Sequence, residues 1–261
     1  MRIAFVGAGN LATNLALALL QQGHELTCIY SRTEESASQL AQQIGCPYST
    51  RLADINACEA DIVIISIKDS ALQEVASQLN TKALVVHTAG SMTIDTLPQE
   101  RRGVLYPMQT FSKQKRVCFS EIPIFIEAAK GEDLLLLQEL SQSISQRVVE
   151  MTSQQRQYLH VAAVFACNFA NHCYRLSANI LEQHGIPFDV MLPLIDETTA
   201  KVHQLSPHDA QTGPAVRWDE NVMKRHLGLL CSEQEQTIYK LMSESIHNDQ
   251  LRPQENQSHR L

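Results

Sequence analysis

With 261 residues, 44% of them hydrophobic, and a formal charge of −7, the chain can bury a sizeable core in one or two domains. The acidic balance argues against a nucleic-acid footprint, and the short clusters Arg101-Arg102 and residues 113–116 read as solvated loop charge. Seven cysteines without a C-x-x-C pair suit a reducing compartment, and no run approaches the roughly eighteen apolar residues of a membrane span, so a cytoplasmic protein with no membrane partner is expected.

Residues 3–6 read as a buried strand, 11–20 as an apolar helix stopped near Gly23, and 26–30 as a second strand. The opening stretch imitates a secretion signal, but Gly7, Gly9, Asn10 and Asn14 interrupt it, and its removal would delete the first strand. Between strand and helix lies Gly7-Ala8-Gly9-Asn10-Leu11-Ala12, a G-x-G-x-x-A turn in the context of a dinucleotide phosphate site. Gly7 permits the tight turn, Gly9 lets the backbone approach a pyrophosphate, and Ala12 keeps the helix close to the sheet. Gly7, Ala8, Gly9, Asn10 and Leu11 are the expected phosphate contacts, because free N–H groups and the helix dipole both favour an anion there.

The second strand ends in Ser31-Arg32-Thr33, where NAD enzymes carry Asp or Glu for the ribose hydroxyls. A guanidinium grips a 2′-phosphate that a carboxylate would repel, which favours NADP(H) over NAD(H). The competing reading is a solvated arginine beside a capping box, Ser31-x-x-Glu34.

Strand and helix signals alternate further: strands at 61–67, 83–87, 104–106, 122–127 and 147–151, helices at 70–79 and 132–145. The expectation is an α/β fold, a Rossmann doubly wound, mainly parallel sheet over residues 1–151. Ligands collect at the carboxyl ends of such strands. Ser66, Ile67 and Lys68 are therefore placed beneath the cofactor ribose, and Asp69 reads as a helix N-cap. His87, Thr88 and Ala89 are placed by the nicotinamide, with a buried structural histidine as the alternative for His87.

After residue 151 the alternation stops, and an all-α domain is expected over 152–246, with a disordered polar tail over 247–261. Thr152-Ser153 caps a long helix through residues 155–183, and 188–204, 220–230 and 232–246 follow, with 206–219 irregular. Residues 161–170 are apolar nearly all round, so neighbouring helices or a second subunit enclose them, and a homodimer through the helical domain is expected. Cys167, His172 and Cys173 do not share a helical face, so no metal site is expected.

The whole chain resembles the NADP-oxidoreductase-like proteins of the 6-phosphogluconate and β-hydroxyacid dehydrogenase superfamily, through residues 7–12, 87–91, 106–111, 160–171, Thr212-Gly213-Pro214 and Arg217. Pyrroline-carboxylate, ketopantoate and deazaflavin-dependent NADP reductases are relatives. The resemblance implies a Rossmann fold, a nicotinamide cofactor and a small-molecule substrate in an interdomain cleft. β-Hydroxyacid dehydrogenases carry a helical Lys-x-x-x-Asn, and here Asn168 fits the asparagine while Val164 stands at the lysine position. His160 is the nearest titratable replacement on that stripe, either as the proton donor to a carbonyl or imine or as a buried partner. Arg217 reads as a substrate-carboxylate clamp or as an ion-pair partner of Asp219 or Glu220, and Asp219 as the N-cap of the following helix. The leading reading is an NADP-dependent oxidoreductase, and the rival is a non-catalytic, redox-sensing NADP(H) binder that lost the acid at Val164.

Overall fold

The computed structural model describes residues 1–252. The chain divides into two compact units, Met1–Cys167 and the remainder from Asn168, a later break than the one expected after residue 151.

The first unit runs β1 (Arg2–Val6), α1 (Asn10–Gln21), β2 (Glu25–Tyr30), α2 (Glu34–Ile44), β3 (Tyr48–Ser49), α3 (Ala53–Asn56), β4 (Ile62–Ile65), α4 (Asp69–Ser77) and β5 (Leu84–His87). It continues with β6 (Arg102–Pro107), β7 (Ile124–Ala128), α5 (Gly131–Ile144), β8 (Val148–Glu150) and α6 (Ser153–Ala163). The strands form one sheet in the order β3-β2-β1-β4-β5-β6-β7-β8, parallel throughout except at the β6–β7 pair. Strand order reverses between β1 and β4, the switch point at which such sheets open a crevice.

Alternation along β1 explains the two-faced core. Ile3 and Phe5 point to one side, where they pack with Leu15 and Leu19 of α1 and Leu137 and Leu140 of α5. Ala4 and Val6 point to the other, with Ile65, Leu72 and Ala76. All these side chains are essentially buried, and each large one stabilises the fold by roughly 1.5–3 kcal/mol.

The segments β3 and α3 have no counterpart in the sequence reading; a two-residue strand and a four-residue helix carry no periodicity to read. One capping expectation, at Asp69, is corrected, and the competing capping box at Ser31 is not formed. Thr33, not Ser31, precedes α2, and no side chain caps that helix. Lys68 is the N-cap of α4, while Asp69 lies inside it and accepts a short hydrogen bond from the Ser91 hydroxyl. Thr152 does cap α6, with the full box to Gln155.

Beyond α6, residues Val164–Phe169 form a π-helical segment that leads into α7 (Ala170–Gln183). The second unit then holds α8 (Leu192–Lys201), α9 (Pro207–Ala210), α10 (Glu220–Leu229) and α11 (Glu233–Leu251). Asp219 caps α10 by accepting the Val222 N–H. The disordered tail expected from residue 247 is corrected over its opening residues, because α11 continues to Leu251; residues 253–261 lie outside those described. No described helix is long and apolar enough to cross a membrane.

Candidate functional site

Parallel pairing brings the carboxyl ends of four strands into one row. Val6 is in register with Tyr30 on one side and Ile65 on the other, and Ile65 with His87. The backbone continues these ties past the strand ends: Gly7 N–H donates to Tyr30 O (2.8 Å), Ser66 N–H to Val6 O (2.8 Å) and Thr88 N–H to Ile65 O (3.1 Å). The loops starting at Gly7, Ser31, Ser66 and Thr88, read separately from the sequence, are therefore neighbours.

Gly7 has φ +118°, and a Cβ there would lie 2.1 Å from the carbonyl oxygen of Ser66, so no other residue fits. Gly9 is the opposite case: a Cβ there would meet nothing within 4 Å. The space over the turn is open, and Gly9 is the N-cap of α1, with no side chain capping the helix's first N–H groups. An uncapped helix N-terminus facing open space suits an anion, so the turn fits a dinucleotide diphosphate.

Arg32 is exposed, follows β2 directly and has no ion-pair or hydrogen-bond partner among the described residues. The capping box Ser31-x-x-Glu34 is absent, and the exposed guanidinium fits both a solvated arginine and a phosphate ligand.

Sequence reasoning missed the part played by Asn14. Its buried amide donates to Asn10 O (2.9 Å) and to Ser112 O (3.0 Å), while Asn10 Nδ2 donates to Phe111 O (3.1 Å). These bonds lash the loop after β6 to the first two turns of α1.

His87 is fully buried, with Nδ1 accepting from the Ala89 N–H (3.2 Å) and Nε2 donating to Thr93 O (3.2 Å). Burial pushes its pKa down to about 4. A neutral ring with both nitrogens engaged shapes the 88–93 loop. The placement of its side chain at the nicotinamide is corrected to the structural alternative.

That loop is gripped from the other side by α6. Arg156, wholly buried, donates to Glu127 Oε2 (2.7 Å) on β7, to Met92 O (2.6 Å) and to Ser153 Oγ (3.1 Å). Ser153 adds bonds to both Glu127 oxygens, and Gln157 donates to Ser91 O (2.9 Å). This knot explains why the compact unit extends past residue 151.

One turn beyond Arg156, His160 Nδ1 lies 3.1 Å from the Tyr106 hydroxyl at the end of β6. Gly90 makes room for the pair, since a Cβ there would sit 2.6 Å from His160 Nδ1 and 2.8 Å from Tyr106 Cζ. Burial raises the Tyr106 pKa, so the phenol stays protonated. With Nδ1 engaged by the Tyr106 hydroxyl, Nε2 is the ring nitrogen left to meet another group. Nε2 has no hydrogen-bond partner among the described residues. Tyr106 was legible only as part of a motif; its contact spans 54 residues of chain.

Asn168 is exposed within the π-helical segment, so the four-residue stripe from His160 through Val164 does not continue to it with α-helical spacing. Arg217, in the second unit, is exposed and makes no ion pair with Asp219 or Glu220. Next to it, Trp218 has φ 51° and lies with its ring centroid 4.7 Å from that of His247. Among the described residues no cluster of three or more His, Cys, Asp or Glu side chains is placed to hold a metal ion.

Residues 2–97 match the family described as NADP oxidoreductase, coenzyme F420-dependent, and residues 122–246 match a domain of unknown function, DUF2520. No curated protein matches the chain. A Bacteroides fragilis protein, solved as a candidate NADP oxidoreductase, is 50% identical over 95% of this chain and 98% of its own, with a TM-score of 0.89. The chain belongs to the NADP oxidoreductase family. The fold of this family member extends to the 1-pyrroline-5-carboxylate reductase of Streptococcus pyogenes (19% identity, 95% and 98% of the two chains, TM-score 0.65). It also matches an imine reductase of Myxococcus stipitatus solved with NADP+ (15%, 95% and 92%, TM-score 0.66).

Proposed function

We propose that this NADP oxidoreductase family member is an NADPH-dependent reductase of a small carbonyl or imine compound. The observation that carries the reading is the assembly, in one unit, of the glycine turn, the exposed Arg32 and the Tyr106–His160 pair at the carboxyl ends of one sheet. Gly7, Ala8, Gly9, Asn10 and Leu11 hold the diphosphate, Arg32 with Ser31 and Thr33 the 2′-phosphate, and Ser66, Ile67, Lys68, Thr88 and Ala89 line the path between. When bound, NADPH supplies the hydride. As the imidazolium, His160 gives a proton from Nε2 to the substrate oxygen or nitrogen and is left neutral, with its remaining N–H on Nδ1 donated to the Tyr106 oxygen, which holds the ring in place. Asn168 and Arg217 orient the substrate in this reading, on the strength of their amide and guanidinium chemistry.

The test is a pair of measurements. NADPH and NADH titrations should show tighter NADPH binding that weakens about tenfold or more in Arg32→Asp. Turnover on a carbonyl and imine panel should fall about a hundredfold or more in His160→Ala with NADPH affinity unchanged. A wild-type chain that binds neither cofactor refutes the oxidoreductase reading; binding without turnover of any panel member leaves a non-catalytic NADP(H) binder.

A further inference from the structure

The loop after β6 carries three cations in four residues, Lys113, Lys115 and Arg116, for which the reading above has no task. Residues 113–116 are all exposed. The chain has 28 carboxylate side chains against 21 lysines and arginines, yet among the described residues none of these three cations has an ion-pair partner. Such an excess of available partners makes three adjacent free cations a feature to explain.

Their position is fixed from the side that precedes them. The Phe111 and Ser112 carbonyls are held by Asn10 and Asn14, from the first two turns of α1, and Phe111 stacks on the buried Phe119 with ring centroids 5.8 Å apart. Ser112 Oγ then accepts the Lys115 N–H (3.3 Å), which bends the chain at the cations. The residue that opens the phosphate turn's helix thus also anchors the residue two before Lys113. Beside it lies the open space over Gly9.

We propose that Lys113, Lys115 and Arg116 form a clamp on the diphosphate bridge of the bound dinucleotide, alongside the glycine turn. The proposal rests on the cofactor reading above. The diphosphate is favoured over the 2′-phosphate because the loop is lashed to α1, whereas Arg32 follows β2 and its 2′-phosphate role belongs to that strand end. Exposed cation–phosphate pairs are individually weak and salt-screened, so three together give a moderate gain that fades with ionic strength.

The test is a titration of NADPH and of NADH into wild-type protein and the triple variant Lys113→Gln, Lys115→Gln, Arg116→Gln, at low and at high salt. Both cofactors share the diphosphate, so both should weaken by the same factor, about tenfold at low salt, with a flatter salt dependence. The melting temperature without cofactor should be unchanged, since these side chains are exposed and pair with nothing among the described residues. Wild-type affinity and salt dependence in the variant for both cofactors would overturn the clamp while the cofactor reading stands. A loss confined to NADPH would overturn the diphosphate assignment. Failure of the wild-type chain to bind either cofactor appears before any variant is made and removes the clamp together with the reading beneath it.

Discussion

His87 and His160 show how residue-level surroundings divide one chemistry into two roles. His87 is buried, doubly hydrogen-bonded and pushed down to about 4, so the native protein keeps it neutral across the range where a free histidine titrates. An unfolded chain takes up that proton near pH 6.5, so between about 6.5 and 4 the unfolded state binds more protons than the native one. Stability from this residue is therefore complete above pH 6.5 and is lost as pH falls toward 4. Urea unfolding across that window should show an acid decline in the wild type that exceeds the decline in His87→Gln by on the order of 3 kcal/mol. Parallel declines would show that other groups set the acid limb.

At the scale of elements, α6 is the piece that joins His160, the proposed proton donor, to the sheet. Glu127→Gln would leave the Arg156 guanidinium, 0% exposed, without its counter-charge. A loss of about 3–5 kcal/mol in unfolding free energy is expected, with turnover falling further than NADPH affinity because His160 rides on the same helix. A variant that unfolds like the wild type would mean that the ion pair is not what docks α6. The elements of the sheet were legible because local signals define them: apolar runs for β1, β2, β4 and β5, and a glycine turn whose spacing belongs to one geometry. The knot around Glu127 was not, since Met92, Glu127, Ser153 and Arg156 are distant in sequence and each is unremarkable alone. The π-helical segment was also hidden, because residues 161–170 are apolar on every side and a change of helical pitch leaves such a pattern unaltered. Ser31 and Asp69 failed as caps for a related reason: a capping residue is defined by where its side chain points, and both sequences allow a neighbour to take the position.

For the whole molecule, the two units differ sharply in how they are stabilised. The sheet unit has cores on both faces, whereas among the described residues of the second unit only Ala215, Met223 and Ser243 are buried. Val190, Leu194, Leu229, Leu241 and Met242 are each at least half exposed there. A helical unit cannot offset its chain entropy with so little burial, and a second copy of the chain, bringing the same excess of apolar surface, is the partner we propose. Sedimentation equilibrium should give twice the monomer mass of 29.2 kDa, and Leu229→Glu with Leu241→Glu should shift it toward one. A wild-type monomer that unfolds cooperatively would refute this. The position of the break after Cys167 also bears on inheritance. A chain ending at residue 151 would retain every strand and the glycine turn yet forfeit Arg156 and His160, whereas a gene fusion made after residue 167 would pass on the proposed cofactor grip and acid as one heritable cassette, open to a different helical companion.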